Sequence, residues 1–220
     1  MRSTYMTRHQ SRVAAASAFI GLLALSGCAS GNSKGSDDIT GAQSAPPSTS
    51  APSASTSPGW TAPAFDLPSD VTVKLDGFTA SDPAKNEVLR DLGYAMTAYE
   101  EGLATGKTDR PALVRYYFGL AGGAVSKSII DYKAGGNRIT GTSHFLKPQV
   151  TLNDAASAVA DLCEDQTASF AKDLKTGAVK TTSPSADDYV AWHLTAKKNA
   201  KGDWQVDNAE WVHGAGRCQP

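Results

Sequence analysis

The strongest helical pattern in the sequence is DPAKNEVLRDLGYAMTAYEEGL, from Asp82 to Leu103. A capping side chain at Asp82, followed by Pro83 in the first turn, is a typical helix start. Apolar residues then recur at helical spacing, which predicts one buried face; they are Val88, Leu92, Ala95, Met96, Tyr99 and Leu103. Gly106 is a natural C-terminal stop. We therefore predict one helix of about 22 residues, roughly 33 Å long.

Two shorter helices are predicted after the long one. A second start at Thr108-Asp109-Arg110-Pro111 predicts a short helix through Phe118. Gly122-Gly123 is expected to break the helical pattern. The segment AVSKSIIDYKA, residues 124–134, then predicts a third helix that ends at Gly135-Gly136.

The hydrophobic period changes from helical to alternating after Gly136, which predicts strands. Asn153-Asp154 is expected to be a hairpin turn between the first two long strands. DVTVKL, residues 70–75, is either a short strand or an extended lead-in. The predicted strands are HFLKPQVTL (144–152), AASAVADLC (155–163), TASFAKDL (167–174), DYVAWHLTAKK (188–198) and DWQVDNAEWVH (203–213).

Three helices followed by an antiparallel meander indicate an α+β fold. The long helix, the VADLCED strand and the terminal GDWQV…GRC strand together resemble the NTF2-like fold. That resemblance spans roughly residues 82–218 and is similar to small NTF2-like lipoproteins of high-GC Gram-positive bacteria. It implies a cone in which three helices pack against a strongly curved antiparallel sheet.

The N-terminus has the pattern of an export signal. Three arginines precede an apolar run from Val13 to Leu25, which is shorter than the ~20 residues of a membrane-spanning helix. Leu25-Ser26-Gly27-Cys28 follows and resembles a bacterial lipobox. The resemblance implies a signal peptide over residues 1–27 and a diacylglyceryl thioether on Cys28. The alternative is that the apolar run is a buried helix of a folded domain.

A disordered tether is predicted between Cys28 and the folded region. Residues 39–65 carry no charge and consist largely of Ser, Pro, Thr, Ala and Gly. Such a segment buries too little apolar surface to offset the entropy of ordering it. We predict a tether over residues 28–66 and the domain over residues 67–220. Within the tether, Trp60 and Phe65 either dock on the domain or are exposed.

With the sulfur of Cys28 acylated, Cys163 and Cys218 remain as an even pair in an oxidising compartment. A disulfide between them is the expected arrangement, and two free thiols are the alternative. No CxxC, HxH or HExxH motif occurs, so we expect no metal site and no cofactor. No P-loop or G-x-S-x-G elbow is present either.

Four residues are candidates for a pocket by their chemical type: Tyr99, His144, Asp161 and His193. The NTF2-like resemblance implies that a cone carboxylate or histidine can take a proton while a tyrosine stabilises an oxyanion, as in ketosteroid isomerases and polyketide cyclases. Asp161 shares a strand face with Val159 and Cys163, which allows an inward orientation. His193 is expected to point away from the cone if Trp192 faces the helices. No residue is assigned as catalytic.

The expected function is that of a non-enzymatic binding or accessory module on the outer face of the cytoplasmic membrane, held there by its lipid. Expected partners are a small apolar ligand or an envelope protein. Nucleic acid is excluded, because the chain has 21 basic and 22 acidic residues and no basic run. Two alternatives remain: a lyase or isomerase that uses an acid–base pair in the cone, and a structural subunit of an envelope complex.

Overall fold

The structure is a computed structural model, and it describes residues 60–220. The expected signal peptide, Cys28 and most of the expected tether lie outside the described residues. No helix within residues 60–220 is long and apolar enough to cross a bilayer.

Three helices follow one another before the long strands of the sheet, as predicted. Helix α1 spans Pro83–Thr105, α2 spans Pro111–Tyr116 and α3 spans Gly119–Ala134. The Asp82 side chain accepts hydrogen bonds from two backbone amides of the first turn of α1, and Gly106 ends the helix in a left-handed conformation. The predicted start, stop and apolar face of α1 are all confirmed.

The expected break at Gly122-Gly123 is wrong. Helix α3 begins at Gly119 and runs through both glycines. The chain turns earlier, where Phe118 is extended and its amide donates to the carbonyl of Val206. A Cβ at Gly123 would meet nothing within 4 Å, so this pair lowers helix propensity without a steric need for glycine.

The sheet contains six strands. These are β1 (Val71–Leu75), β2 (Asn137–Leu152), β3 (Ser157–Asp173), β4 (Val179–Lys180), β5 (Tyr189–Lys198) and β6 (Trp204–His213). Their order is β1-β2-β3-β5-β6, with β4 paired to β3. All pairs are antiparallel except β1 with β2, which is parallel. The α+β class and the packing of helices on a curved sheet are confirmed.

The two central strands are longer than predicted. Strand β2 starts at Asn137 rather than His144, and β3 runs without interruption through the two segments that the sequence pattern separates. Irregularities in the β2–β3 ladder explain the difference, because register shifts occur between Thr142 and His144 and between Leu146 and Gln149. Each shift interrupts the strict alternation on which strand prediction depends.

The core lies between the helices and the inner face of the sheet, and we call this enclosed space the cone. Its buried residues include Leu92, Met96 and Ile129 from the helices. From the sheet come Phe145, Leu162, Trp192 and Leu194, all nearly inaccessible to solvent. Large side chains from both layers therefore fill the cone.

The expected disulfide is present. Cys163 in β3 is bonded to Cys218, and their Cα atoms are 5.4 Å apart. Cys218 ends a short 3-10 turn, Gly216–Cys218, that lies on the outer face of the sheet. The bridge therefore fastens the C-terminal end of the chain to a central strand.

Residues 60–66, which the sequence places in the tether, lie against the domain; we call them the lead segment. The Trp60 ring lies 6.1 Å from that of Tyr94, and the guanidinium carbon of Arg90 lies 4.1 Å from the centre of the Trp60 ring. Further along, the amide of Asp66 donates to Glu101 Oε1 over 2.7 Å. Docking, rather than exposure, describes the environments of Trp60 and Phe65.

Candidate functional site

Two carboxyl groups are buried inside the cone. Glu100 projects from the inner face of α1, and Glu164 projects from β3 on the same face as Leu162. Each residue is 1% exposed. Within residues 60–220, neither carboxyl has a Lys, Arg or His ion-pair partner, although buried acids normally require one.

Glu164 is held by two hydrogen-bond donors, one on each oxygen. The indole Nε1 of Trp192 donates to Oε2, and the Nε2 of Gln166 donates to Oε1, both over 2.8 Å. Burial raises the pKa of Glu164, and these two donors oppose the rise because they favour the charged form. Of the two carboxyls, Glu164 is therefore the better equipped to carry negative charge.

Of the two carboxyls, Glu100 is the one that more readily holds a proton. Its Oε2 and the Oγ of Ser143 form a hydrogen bond of 2.5 Å, and Ser143 Oγ lies 3.3 Å from the Oγ of half-buried Ser169. Burial, followed by repulsion from Glu164, raises the pKa of Glu100 to about 8. Because two nearby buried carboxylates cannot both ionise cheaply, we assign the proton of the pair to Glu100 at neutral pH.

Two tyrosines complete this cluster. Tyr99 from α1 shares a hydrogen bond of 2.8 Å between its hydroxyl and Ser128 Oγ, and its ring meets Trp192 edge to face. The hydroxyl of buried Tyr117 has no hydrogen-bond partner among residues 60–220. Burial raises the pKa of Tyr117 well above its usual range, and the charges of Glu100 and Glu164 add to this. Its hydroxyl is therefore a donor throughout the physiological range.

A backbone irregularity brings Ser143 into the cone. Thr142 pairs with Ala168 but His144 pairs with Asp165, so Ser143 stands opposite a bulge in β3. Gly141, one pair earlier, has a φ of +95°, and a Cβ there would lie 2.1 Å from the carbonyl oxygen of Ala168. Only glycine fits this position, as is common where bulges re-aim side chains.

Asp161 and His193 lie on the outer face of the sheet, outside the cone. Asp161 Oδ1 is 3.1 Å from His193 Nδ1 and 3.2 Å from an Arg217 guanidinium nitrogen, and all three side chains are 41–54% exposed. Partial burial works against ionisation of Asp161, but hydrogen bonds with His193 and Arg217 outweigh it and lower its pKa. The inward orientation considered for Asp161 is therefore wrong, because Ala160 and Leu162 take the inner face.

His144 is also remote from the buried acids. Its Nε2 lies 2.7 Å from the carboxylate of exposed Asp76, at the edge of the sheet where β1 pairs with β2. Of the four candidates named from sequence, the structure thus places only Tyr99 beside the buried carboxyls. No group of three His, Cys, Asp or Glu side chains that could hold a metal ion occurs within residues 60–220.

The sequence carries a signal for both missed acids. Glu100 follows Met96 by four residues, which places it on the predicted apolar face of α1. Glu164 alternates with Ala158, Ala160 and Leu162, so it belongs to the buried face of β3. A charged residue in phase with a core face is the informative exception to burial rules.

An open cleft lies on the surface near the start of the lead segment, and we call it the Trp60 cleft. Its volume is about 1170 Å³, and Trp60, Val114, Arg115 and the β5–β6 turn residues 198–203 line it. Arg115 donates to both oxygens of buried Asp203, over 2.7 and 3.1 Å, and to the carbonyl of Thr61. None of the cone carboxyls lines this cleft.

No protein-family model matches the chain, and no curated protein sequence shows significant similarity to it. Several solved structures match part of the chain at low sequence identity. A candidate scytalone dehydratase from Novosphingobium aromaticivorans superposes with a TM-score of 0.42 at 11% identity, over 59% of this chain and 86% of its own. The intermembrane-space region of the chloroplast protein ARC6 gives 0.38 at 11% identity, over 57% and 94%.

A ketosteroid isomerase-like protein from Erwinia carotovora atroseptica gives a TM-score of 0.34 at 14% identity, over 53% of this chain and 91% of its own. One fold can host many unrelated functions, so no activity is inferred from these matches.

Proposed function

We propose that this protein is a lipid-anchored, extracytoplasmic binding module whose ligand occupies the Trp60 cleft. The observation that carries the proposal is the contrast between two sites: the side chains of the cone, its carboxyls included, are buried from solvent, whereas the cleft is open and large enough for a small molecule or a peptide side chain. The lipobox-like LSGC motif supports the anchor.

The lining of the cleft favours a ligand with an anionic group and an apolar portion. Trp60 and Val114 supply apolar surface, and Lys201 at the tip of the β5–β6 turn makes no ion pair within residues 60–220. By contrast, Lys198 is paired with Glu87 over 2.7 Å. Lys201 is therefore the cation left for a ligand.

Native mass spectrometry of the purified full chain tests the cleft. We expect a retained small molecule that is lost in Lys201→Glu and kept in Lys175→Glu. Lys175 is a matched control because it is exposed and lies far from the cleft. It follows the C-terminal end of β3, whereas the cleft lies near the N-terminal end of that strand, where Ser157 pairs with Lys197. An adduct that persists in Lys201→Glu, or no adduct at all, contradicts the proposal.

Labelling with an alkyne-bearing palmitate tests the anchor separately. We expect the label on the wild-type chain in its bacterial host and none on Cys28→Ala, because no thiol remains for the thioether. Cys163 and Cys218 are already joined and cannot substitute for it. An unlabelled wild-type chain would refute the anchor and leave the cleft proposal standing.

A second function is favoured by one observation, the buried pair of Glu100 and Glu164 beside the unpartnered Tyr117 hydroxyl. A protonated acid, a carboxylate and a phenol together are the groups that a lyase or isomerase needs for acid–base chemistry. Substrate entry would require the cone to open. A screen for turnover of β,γ-unsaturated ketones and hydroxylated aromatics tests this second function. Any turnover found should vanish in Glu164→Gln. Turnover that survives in this variant would exclude the cone as the site of the reaction.

A further inference from the structure

The pair of Glu100 and Glu164 joins the two layers of the domain. Glu100 belongs to α1 and is hydrogen-bonded to Ser143 of β2, and Glu164 of β3 stands opposite Phe145, two residues further along β2, so both carboxyls lie between the helices and the sheet. No Lys or Arg side chain within residues 60–220 forms an ion pair with either. Asp165 and His213 act on the pKa of Glu164, and the charges of the pair in turn raise the pKa of the neighbouring Tyr99, Tyr117 and Tyr132.

Most of these neighbours cannot neutralise a second negative charge. The tyrosines are neutral below about pH 10, and Asp165 is itself acidic. His213 lowers the pKa of Glu164, but its ring is exposed at the end of β6 and its Nδ1 faces the carbonyl of Asp187. If both buried carboxyls were ionised, their negative charge would not be neutralised. A proton bound to one of them removes the second charge.

We propose that Glu100 and Glu164 form an internal proton-binding site that makes the packing of α1 on the sheet depend on external pH. With one proton bound, Glu100 is neutral and hydrogen-bonded to Ser143, while Glu164 is satisfied by Trp192 and Gln166. Loss of that proton places two like charges between the layers. The site is separate from the Trp60 cleft and does not depend on the function proposed for it.

Two hydroxyls lead from this site to a half-buried position on β3. Ser143 bridges Glu100 and Ser169 through contacts of 2.5 and 3.3 Å, and Ser169 is half-buried on the distal part of β3. Each hydroxyl can both donate and accept, so a proton can pass from Glu100 to the surface without opening the cone. The pair therefore equilibrates with external pH while the domain stays folded.

The direction of the pH effect follows from the pKa of Glu100, which is 4.5 in ordinary surroundings and about 8 here. Between these values the folded chain keeps a proton that the unfolded chain releases. The contribution of Glu100 to stability is therefore fully present below about pH 4.5, falls as pH rises, and is lost above about 8. One such proton changes the folding equilibrium constant by about tenfold per pH unit within that window.

Urea unfolding of the full chain at a series of pH values from about 5 to 9 tests the proposal. The wild type should lose stability with the stated slope, and Glu100→Gln should lose that slope because its amide does not titrate. The variant should consequently be more stable than the wild type above pH 8.

Glu101→Gln is the matched control. Glu101 is the next residue of α1 and is equally buried, but Arg110 donates to its Oε1 over 2.6 Å. This control should be destabilised and keep the wild-type slope. If Glu100→Gln does not fold, Glu164→Gln gives a second test: the slope should become smaller but remain, because the repulsion is lost while burial still raises the pKa of Glu100. An unchanged slope in the folded variant overturns the proposal.

Infrared spectroscopy provides a direct readout that folding cannot mimic. The wild type at pH 7 should show the stretching band of a buried protonated carboxyl, which disappears as pH passes about 8. Glu100→Gln should lack the band and Glu101→Gln should retain it. Absence of the band from the wild type at pH 7 also overturns the proposal.

Discussion

Gly141 shows how one residue without a side chain arranges the interior of the cone. Its φ of +95° belongs to the left-handed region, and an added Cβ would lie 2.1 Å from a backbone oxygen that cannot move freely. Gly141→Ala should therefore lower the free energy of unfolding by about 3 kcal/mol or more. Urea denaturation measures this loss.

Gly136→Ala is the control for this prediction. Gly136 also has a positive φ, of 77°, but a Cβ there would meet nothing within 4 Å. Its substitution should cost only the backbone conformational term, about 1–2 kcal/mol. Equal losses in the two variants would mean that the close approach to Ala168 has no energetic weight.

The exposed cluster of Asp161, His193 and Arg217 should matter little for stability. All three side chains are 41–54% exposed, and ion pairs in such surroundings contribute about 0–1 kcal/mol because water screens them. Asp161→Asn should therefore shift the urea midpoint only slightly. A loss above about 2 kcal/mol would indicate that this outer face is covered in the working protein.

For single residues, the sequence identifies the chemical type of a candidate more reliably than the face of the sheet to which its side chain points. Asp161 and Glu164 are three positions apart on one strand, so they face opposite sides of the sheet. Which side is buried depends on packing against α1, and the strand pattern alone leaves both orientations open. This is why Asp161 entered the list of pocket candidates and Glu164 did not.

The lead segment is an element without regular structure that is ordered by its side chains. Trp60 stacks near Tyr94 and under Arg90, and such contacts contribute about 1–2 kcal/mol together. Trp60→Ala should therefore speed amide hydrogen exchange of residues 61–66 several-fold. Trp60→Phe, which keeps an aromatic ring, should have a smaller effect. Unchanged exchange in Trp60→Ala would mean that the other contacts of the segment suffice.

Elements were predictable where periodicity is strong and unpredictable where it is broken. Helix α1 has a capping residue, a proline and six apolar residues in phase, and its bounds were predicted almost to the residue. Strands β2 and β3 pair through register shifts, and their lengths were underestimated. The parallel pairing of β1 with β2 joins residues about 70 positions apart, beyond the range of local patterns.

For the whole molecule, the disulfide is the main covalent constraint. It encloses a separation of 55 residues, and the chain-entropy argument assigns about 4 kcal/mol to a loop of that length. Replacing both cysteines by alanine should lower the free energy of unfolding by approximately that amount. Wild-type protein in reductant should match the double variant, and a variant as stable as the oxidised wild type would contradict the prediction.

The same bond has a mechanical consequence. When the chain is held near Trp60 and pulled at its C-terminal end, the force passes from Cys163 through the disulfide to Cys218. The β5–β6 hairpin lies between these two cysteines in the sequence and therefore bears no load. In a single-molecule pulling experiment, the oxidised domain should extend about 190 Å less than the reduced one, at ~3.4 Å for each sheltered residue. The hairpin that borders the cleft would thus keep its shape under a force that strips the helices away.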